Sequence, residues 1–395
     1  MEPMRIPEDD PRLGTLNDLA MDLVGEARAL TASLPPMVVE RIADLVRSMN
    51  CYYSNLIEGH HTHPVDIDRA MSNDYSLEPE KRNLQLEARA HIEVQQWLDT
   101  ADDLPMVTSS DFIGELHRRF CQHLPEDLLT VVHPTSGAIL QVEPGQWRSQ
   151  EVQVGNHLAP APTDIPQLFS RFQEAYGQPG SRLERMILIP AVHHRLLWIH
   201  PFLDGNGRVA RLLSHAMFRQ LGLGSSGLWA ISRGLARENK RYKTLLMQAD
   251  GPRQGDLDGR GNLSLKALVE FSEFFLKTAL DQMQFMAKLL SPATLSDRIL
   301  ATERLPAGWR PVLWHALMEG EITRGRVAEL AGCQERQARN IIKTLLDRGL
   351  LESPSSRAPL RLGFPLEILP QWFPGLYPDS LFSPEVMKDH ERGRA

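Results

Sequence analysis

The sequence predicts a mainly α-helical protein with one β-hairpin ahead of its centre and a small mixed unit near its C-terminus. Three observations carry that expectation. Apolar residues recur at three- and four-residue spacing through most of the chain. Glycine and proline crowd into residues 135–162, around short β-leaning runs at Ala138–Val142 and Trp147–Val154. From about residue 309, short helical patterns give way to two apolar, strand-like pieces.

Taken in order, residues 36–57 place Met37, Val38, Ile42, Leu45, Val46, Met49, Tyr52, Tyr53 and Leu56 on an amphipathic helix. Gly59 follows as a natural left-handed terminator. Residues 64–75 and 79–99 read as helices, and Asp111 as the cap of a helix through Phe120. After the hairpin region, helices resume at Ile165–Tyr176 and Leu183–His200. Gly251–Asn262 is too rich in glycine and charge for regular structure. Leu263–Leu290 returns to helix, with Phe271, Phe274, Phe275, Met283 and Met286 assigned to the core. Helical pieces then run from Trp309 to Met318, Arg324 to Leu330 and Glu335 to Arg348, before strand-like Leu350–Glu352 and Leu360–Phe364. That order resembles a winged helix–turn–helix. A proline-rich tail from 366 ends in a charged segment expected to be mobile.

Composition excludes several classes. The chain has 395 residues, 42% apolar and 24% charged, which suits an ordinary water-exposed protein of two or three domains. A net charge of −7 gives no global basic field for nucleic acid or anionic lipid. Three scattered cysteines argue for a reducing compartment, against a disulfide scaffold or zinc site. The N-terminus lacks an apolar signal core and no apolar run reaches the ~20 residues a bilayer needs. The expected location is cytoplasmic, with no membrane partner.

Residues 200–211 read His-Pro-Phe-Leu-Asp-Gly-Asn-Gly-Arg-Val-Ala-Arg. Apolar helical patterns flank them, so the arrangement is helix, tight loop, helix. Backbone N–H groups of Gly205, Asn206 and Gly207 form a nest for anionic oxygens at the second helix's start. Arg208 and Arg211 share a helix face and suit further phosphate. Asp204 beside such a nest suits Mg²⁺, and His200 suits proton transfer near neutral pH.

This stretch matches the Fic-domain signature, His-x-Phe-x-Asp/Glu-Gly-Asn-Gly-Arg-x-x-Arg, at every specified position. The chain resembles Fic proteins well over roughly residues 50–250 and weakly elsewhere. The resemblance implies transfer of AMP from ATP, with Mg²⁺, to a Ser, Thr or Tyr hydroxyl of a target protein. It implies His200 as general base, Asp204 as Mg²⁺ ligand, Gly205, Asn206 and Gly207 as phosphate cradle, and Arg208 and Arg211 as grips on the outer phosphates.

Ser54-Asn55-Leu56-Ile57-Glu58-Gly59 matches the Ser/Thr-x-x-x-Glu-Gly/Asn inhibitory motif of many Fic proteins. A carboxylate offered to Arg211 forms a bidentate pair where an outer phosphate belongs. Alone, the same residues read as a helix end with a solvated Glu and a Gly cap. Pro144–Pro162 resembles the Fic flap, whose edge strand can pair with an extended target, or is a structural hairpin. Tyr242 resembles the second of two tyrosines near the nucleotide base, with Arg241 replacing the first; it stacks on adenine or packs in the core. His193 or His194 supports His200 or is a packing residue, and His60, His61 and His63 lack the companions of a metal site.

The expected organisation is a helical region 1–105 with its inhibitory helix at about 36–59, a Fic core 106–290, a winged helix 291–365 and a tail 366–395. Residues Trp309–Phe364 hold nine Lys/Arg against six Asp/Glu, a net +3. Arg336, Arg339 and Lys343 lie on the recognition-like helix, yet so small a charge favours protein docking or dimerisation over DNA. Two rival functions use the same features: removal of AMP from a target with Glu58 orienting water, and DNA-binding regulation. Self-modification is also open.

Overall fold

Leu13–Thr31 winds into a first helix, α1, that lies along a long later helix and ties the N-terminus to the centre of the protein. The computed structural model describes residues 1–31, 34–132, 137–178, 180–302, 305–383 and 386. Then come α2 (Pro36–Glu58), α3 (Pro64–Met71), α4 (Pro79–Thr100) and α5 (Ser110–Cys121). Pro36 opens α2 at a position where its missing N–H costs nothing. Gly59 closes it at φ 90°, with the Gly59 N–H reaching Leu56 O and the His60 N–H reaching Asn55 O. That terminator requires glycine and aims the last helical residue, Glu58. At α5 the cap is Ser109, whose Oγ accepts from the Phe112 N–H at 3.2 Å. Asp111 lies inside the first turn, where its charge complements the helix dipole.

The β regions are shorter than their sequence runs. β1 (Thr130–Val132) pairs antiparallel with β2 (Ile139–Gln141), Thr130 opposite Gln141. The run at Trp147–Val154 shrinks to β3 (Gln153–Val154), which turns tightly into β4 (His157–Leu158). Trp147 instead stacks on Phe169, ring centroids 4.8 Å apart. Helix returns in α6 (Ile165–Tyr176), α7 (Arg182–Ile199), α8 (Asn206–Gln220), α9 (Ser232–Arg237), α10 (Asn239–Ala249) and α11 (Leu265–Leu290). The α7–α8 pair is the centre: Ile189, Leu196, Leu212, Leu213, Phe271 and Phe275 are buried together there. The expected core residues Phe274, Met283 and Met286 are buried with them.

The C-terminal unit comprises α12 (Pro292–Leu300), α13 (Arg310–Glu319), β5 (Glu321–Ile322), α14 (Val327–Leu330), α15 (Glu335–Asp347), β6 (Leu351–Glu352) and β7 (Leu360–Leu362). Its sheet runs β5-β7-β6, antiparallel throughout. β5, two residues long, carries no period-2 signal in sequence. The segment after 366 folds back through α16 (Leu369–Trp372). Trp372, Phe373, Leu376 and Tyr377 are buried, and Trp372 Nε1 donates to Thr302 Oγ1 at 2.7 Å. Tyr377 packs on Tyr52 and Tyr53 of α2. The charged end of the tail lies outside the described residues. Among the described residues no helix is long and apolar enough to cross a membrane.

Candidate active site

His200 ends α7 in the left-handed conformation, φ 49°, ψ 61°. A non-glycine residue held there costs roughly 1–2 kcal/mol, so its surroundings must impose it. Arg148 does so. Its buried guanidinium donates to His200 O at 2.7 Å, to Pro160 O at 2.6 Å and to Gln150 O at 2.8 Å. It thereby pins the flap's flanks to the end of α7. Burial pulls the His200 imidazole down to about 4, so it is neutral and able to accept a proton at pH 7.

The loop from Pro201 to Gly205 is closed by Asn206. Its Oδ1 accepts from the Phe202 N–H at 3.0 Å and its Nδ2 donates to Phe202 O at 2.8 Å. Gly205, at φ 79°, is the N-cap of α8 and supplies no side-chain cap. The first turn of α8 therefore has no side chain over its N–H groups and meets the cavity at Gly207. His117 of α5 sets this loop from below. Its ring stacks on Phe202 with centroids 3.9 Å apart. Its Nδ1 accepts from the Gly145 N–H at 2.8 Å while Nε2 faces Asp204 O at 3.2 Å. One neutral tautomer satisfies both contacts, and burial pulls this imidazole down to about 4.

Glu58 lies directly over the nest. Arg211 Nη2 donates to Glu58 Oε1 at 2.6 Å, and Arg211 Nε donates to Ser54 Oγ at 2.9 Å. Arg211 Nη2 also reaches Ser54 O at 3.0 Å. The guanidinium fork is thus shared between Ser54 and Glu58, and the pair is not bidentate as the motif suggested. A Cβ on Gly207 would collide with Glu58 Oε1, so only glycine leaves room for the carboxylate. Burial opposes ionisation of Glu58, but Arg211, Arg208 and Lys243 together hold its carboxyl below the usual range. Lys243 Nζ also donates to Ile57 O at 3.1 Å and fastens the end of α2.

Arg208 departs from its expected place among the phosphate grips. It is buried in an ion pair with Glu87 of α4, reaches Asp204 Oδ2 at 3.2 Å and lies over the Phe120 ring. Burial pulls it down to about 10. Glu87 is also held by His60 Nδ1 at 2.7 Å. Arg208 braces Asp204 and α4, while Arg211 is the guanidinium that faces the cavity. Asp204 keeps a side chain 54% exposed beside the nest.

The cavity measures 460 Å³, and its lining includes Glu58, His200, Gly207, Arg211, Tyr242 and Lys243, with Val154–His157 of the hairpin at one side. A groove of 520 Å³ lies in the C-terminal unit and shares no lining residue with this cavity. The smaller cavity is the candidate site because the nest, the base and the cations converge on it. Of the two readings of Tyr242, core packing fits its surroundings. Tyr242 is only 2% exposed and its hydroxyl meets His193 Nε2 at 2.7 Å, leaving almost no ring face for a stacking base. His193 in turn meets Ser214 Oγ at 2.9 Å, and His194 meets Asp250 Oδ1 at 3.0 Å, so both are packing residues of the core. His63 caps α3. Arg148, His117, Glu87 and Lys243 were missed in sequence, where no local spacing marks them.

Comparison with known proteins agrees with this geometry. Residues 107–218 match the Fic/DOC family model. The protein adenylyltransferase Fic of Nematostella vectensis is 30% identical over 225 residues, 54% of this chain and 47% of that protein. The protein adenylyltransferase Fic of Culex quinquefasciatus is 38% identical over 98 residues, 25% of this chain and 20% of that protein. The chain thus spans less than half the length of these curated relatives. In fold, it is similar to a Fic family protein from Desulfovibrio desulfuricans G20, TM-score 0.52 at 16% identity, covering 91% of this chain and 98% of that one. Fic-1 from C. elegans gives TM-score 0.52 at 15% identity, covering 73% and 75%. Residues 107–218, which match the Fic/DOC family model, contain the whole 200–211 loop together with Arg148 and His117.

Proposed function

We propose that this chain transfers AMP from ATP to a hydroxyl side chain of a protein, and that Glu58 restrains the transfer. The observation that carries this reading is Glu58 Oε1, 2.6 Å from Arg211 Nη2, seated over the Gly207 nest beside a neutral imidazole. The nest and Arg211 together offer donors for a polyphosphate chain. A target hydroxyl then attacks the α-phosphorus. The new oxygen–phosphorus bond forms, the bond to the β-phosphate oxygen breaks, pyrophosphate leaves and His200 takes the hydroxyl proton. Phosphate charge beside His200 raises its basicity from the value that burial sets in the free protein. Catalysis rests on positioning and on placed charge more than on covalent chemistry.

Mg²⁺ fits the donor set. Asp204 presents one half-exposed carboxylate beside the nest, and among the described residues no larger cluster of His, Cys, Asp or Glu stands ready for a metal. An ion that takes one or two carboxylates plus phosphate oxygens suits that arrangement. When bound, it would neutralise charge on the phosphates.

With Glu58 over the nest, an entering γ-phosphate must displace the carboxylate or sit elsewhere. One charge-assisted hydrogen bond of this kind contributes about 1.5–3 kcal/mol. Its loss corresponds to roughly ten- to a hundredfold in rate. The test is label transfer from α-³²P-ATP, to the protein itself and to a cell extract, for the native chain and Glu58→Gly. Higher transfer in the variant supports the reading. Unchanged or lower transfer in a folded variant removes the inhibitory role, and loss of AMP removal from a modified target instead supports the reverse reaction.

A further inference from the structure

We propose that Glu87, on α4, is a positioning residue for the Asp204 carboxylate and acts on it through Arg208. The inference rests on the AMP-transfer reading and names the group that readies its metal ligand. Glu87 is 3% exposed, and a buried carboxylate needs partners for its oxygens. Both are engaged. His60 Nδ1 donates to Oε2 at 2.7 Å, and Arg208 Nη1 pairs with Oε1. Held at two points, the carboxylate offers Arg208 a fixed anchor.

A guanidinium is planar, so anchoring one nitrogen sets the plane in which the others point. Arg208 Nη1 goes to Glu87, and Nη2 donates to Asp204 Oδ2 at 3.2 Å. The Arg208 guanidinium carbon lies 4.9 Å from the Phe120 ring centroid, which supports the same plane from one face. Arg208 is thus a buried bridge between two carboxylates, one in the interior and one 54% exposed beside the nest.

Sharing keeps Asp204 open. Among the described residues, Glu87 and Asp204 are the carboxylates that Arg208 pairs with. While Glu87 takes one side of the fork, Arg208 uses only Oδ2 of Asp204. Without the Glu87 charge, the whole fork turns to Asp204, and a bidentate guanidinium pair there excludes a cation. A guanidinium that Glu87 merely held back from the phosphates would behave in the opposite way: its release would strengthen nucleotide binding without any metal.

The experiment measures the affinity of the full chain for α,β-methylene-ATP, whose α–β bridge cannot break in AMP transfer. Calorimetry is run in EDTA and in Mg²⁺, with Glu58→Gly as the parent, which should bind more tightly with Mg²⁺. Glu87→Gln, nearly isosteric, should lose about tenfold of that Mg²⁺-dependent gain while its affinity in EDTA stays within about twofold, because a group that orients a metal ligand acts through the metal. Glu87→Asp, which keeps the charge, should recover part of the gain. Arg208→Lys tests the bridge without touching Glu87 and decides the matter if Glu87→Gln does not fold. An ammonium has no planar fork to span both carboxylates, so the same loss is expected. Tighter binding in EDTA by Glu87→Gln overturns the proposal, because it marks Arg208 as a restrained phosphate grip. An unchanged Mg²⁺ gain in both variants overturns it and leaves the AMP-transfer reading standing. A parent that binds no nucleotide overturns both.

Discussion

At the residue scale, the candidate base is governed by groups that never touch a substrate. Arg148 holds His200 at its left-handed position, and burial keeps the imidazole uncharged. In a Glu58→Gly background, His200→Ala should abolish label transfer while ATP binding, followed by equilibrium dialysis, survives, because nest and Arg211 are untouched. The pH profile carries a sign. The neutral form is the base, so kcat/KM should hold from pH 8 down to about 5 and fall as pH drops through about 4. An acidic limb at the ordinary histidine value, near 6.5, would contradict the burial of His200. His117 is the second governing group. His117→Phe keeps a ring against Phe202 but loses the contacts to Gly145 and Asp204. Two lost hydrogen bonds at about 1 kcal/mol each predict a ten- to thirtyfold fall in transfer with a raised Mg²⁺ requirement. A merely structural role would leave the Mg²⁺ titration unchanged.

At the element scale, the proposed restraint rests on α2, and its two fastenings differ in strength. Arg47 is buried and pairs with Asp99 Oδ2 at 2.8 Å, while His215 meets Asp99 Oδ1 at 2.7 Å, locking α2 to α4 and α8. Removing one partner of a buried pair costs about 3–5 kcal/mol when the other charge is left alone. Because His215 still meets Asp99, Arg47→Ala should lower unfolding stability by less than that, about 1–3 kcal/mol, in a denaturant titration. Glu58→Gly should cost far less, because it acts at the helix end. The terminator is the finer control. Gly59→Ala forces a Cβ into φ 90° at about 1–2 kcal/mol and should raise transfer several-fold by loosening Glu58. Transfer at the native rate in Gly59→Ala would mean that Lys243 and Ser54 hold Glu58 without the turn.

At the scale of the whole molecule, buried neutral histidines dominate the response to acid. Burial pulls His91 and His193 down to about 3, and His117 and His200 to about 4. Unfolded, each binds its proton near pH 6.5. Between about pH 6.5 and 4 the unfolded chain thus holds more protons than the folded one, and stability falls as pH falls. Each group contributes a slope of up to about 1.4 kcal/mol per pH unit in that window. Carboxylates held low by cationic partners, such as Asp99 and Glu58, give a further loss only as pH drops below their ordinary range. Melting temperatures at pH 7.5, 5.5 and 4.5 should decline across the first interval already. A flat profile down to pH 4.5 would mean that these histidines are not buried uncharged.

The amino-acid sequence alone determined the features whose information is local. Helical periodicity placed α2 through α8, α11 and α13 through α15 but left α1, α9, α10 and α12 unread, and Gly59 marked the end of α2. The run from His200 to Arg211 holds the candidate nest, the candidate base and the cavity-facing guanidinium, since a loop and one helical turn carry all of them. Tertiary structure decided what depends on contacts between distant segments. Arg208 and Arg211 look equivalent in sequence, but Glu87 of α4 takes one and the cavity receives the other. Tyr242 turns inward because His193 waits for its hydroxyl. The two- and three-residue strands escape notice because so short a run holds no period. The proline-rich tail looks solvent-facing until α2 supplies Tyr52 and Tyr53 for Tyr377. Burial and pairing are properties of neighbours in space, and a one-dimensional chain records neighbours only within a few residues.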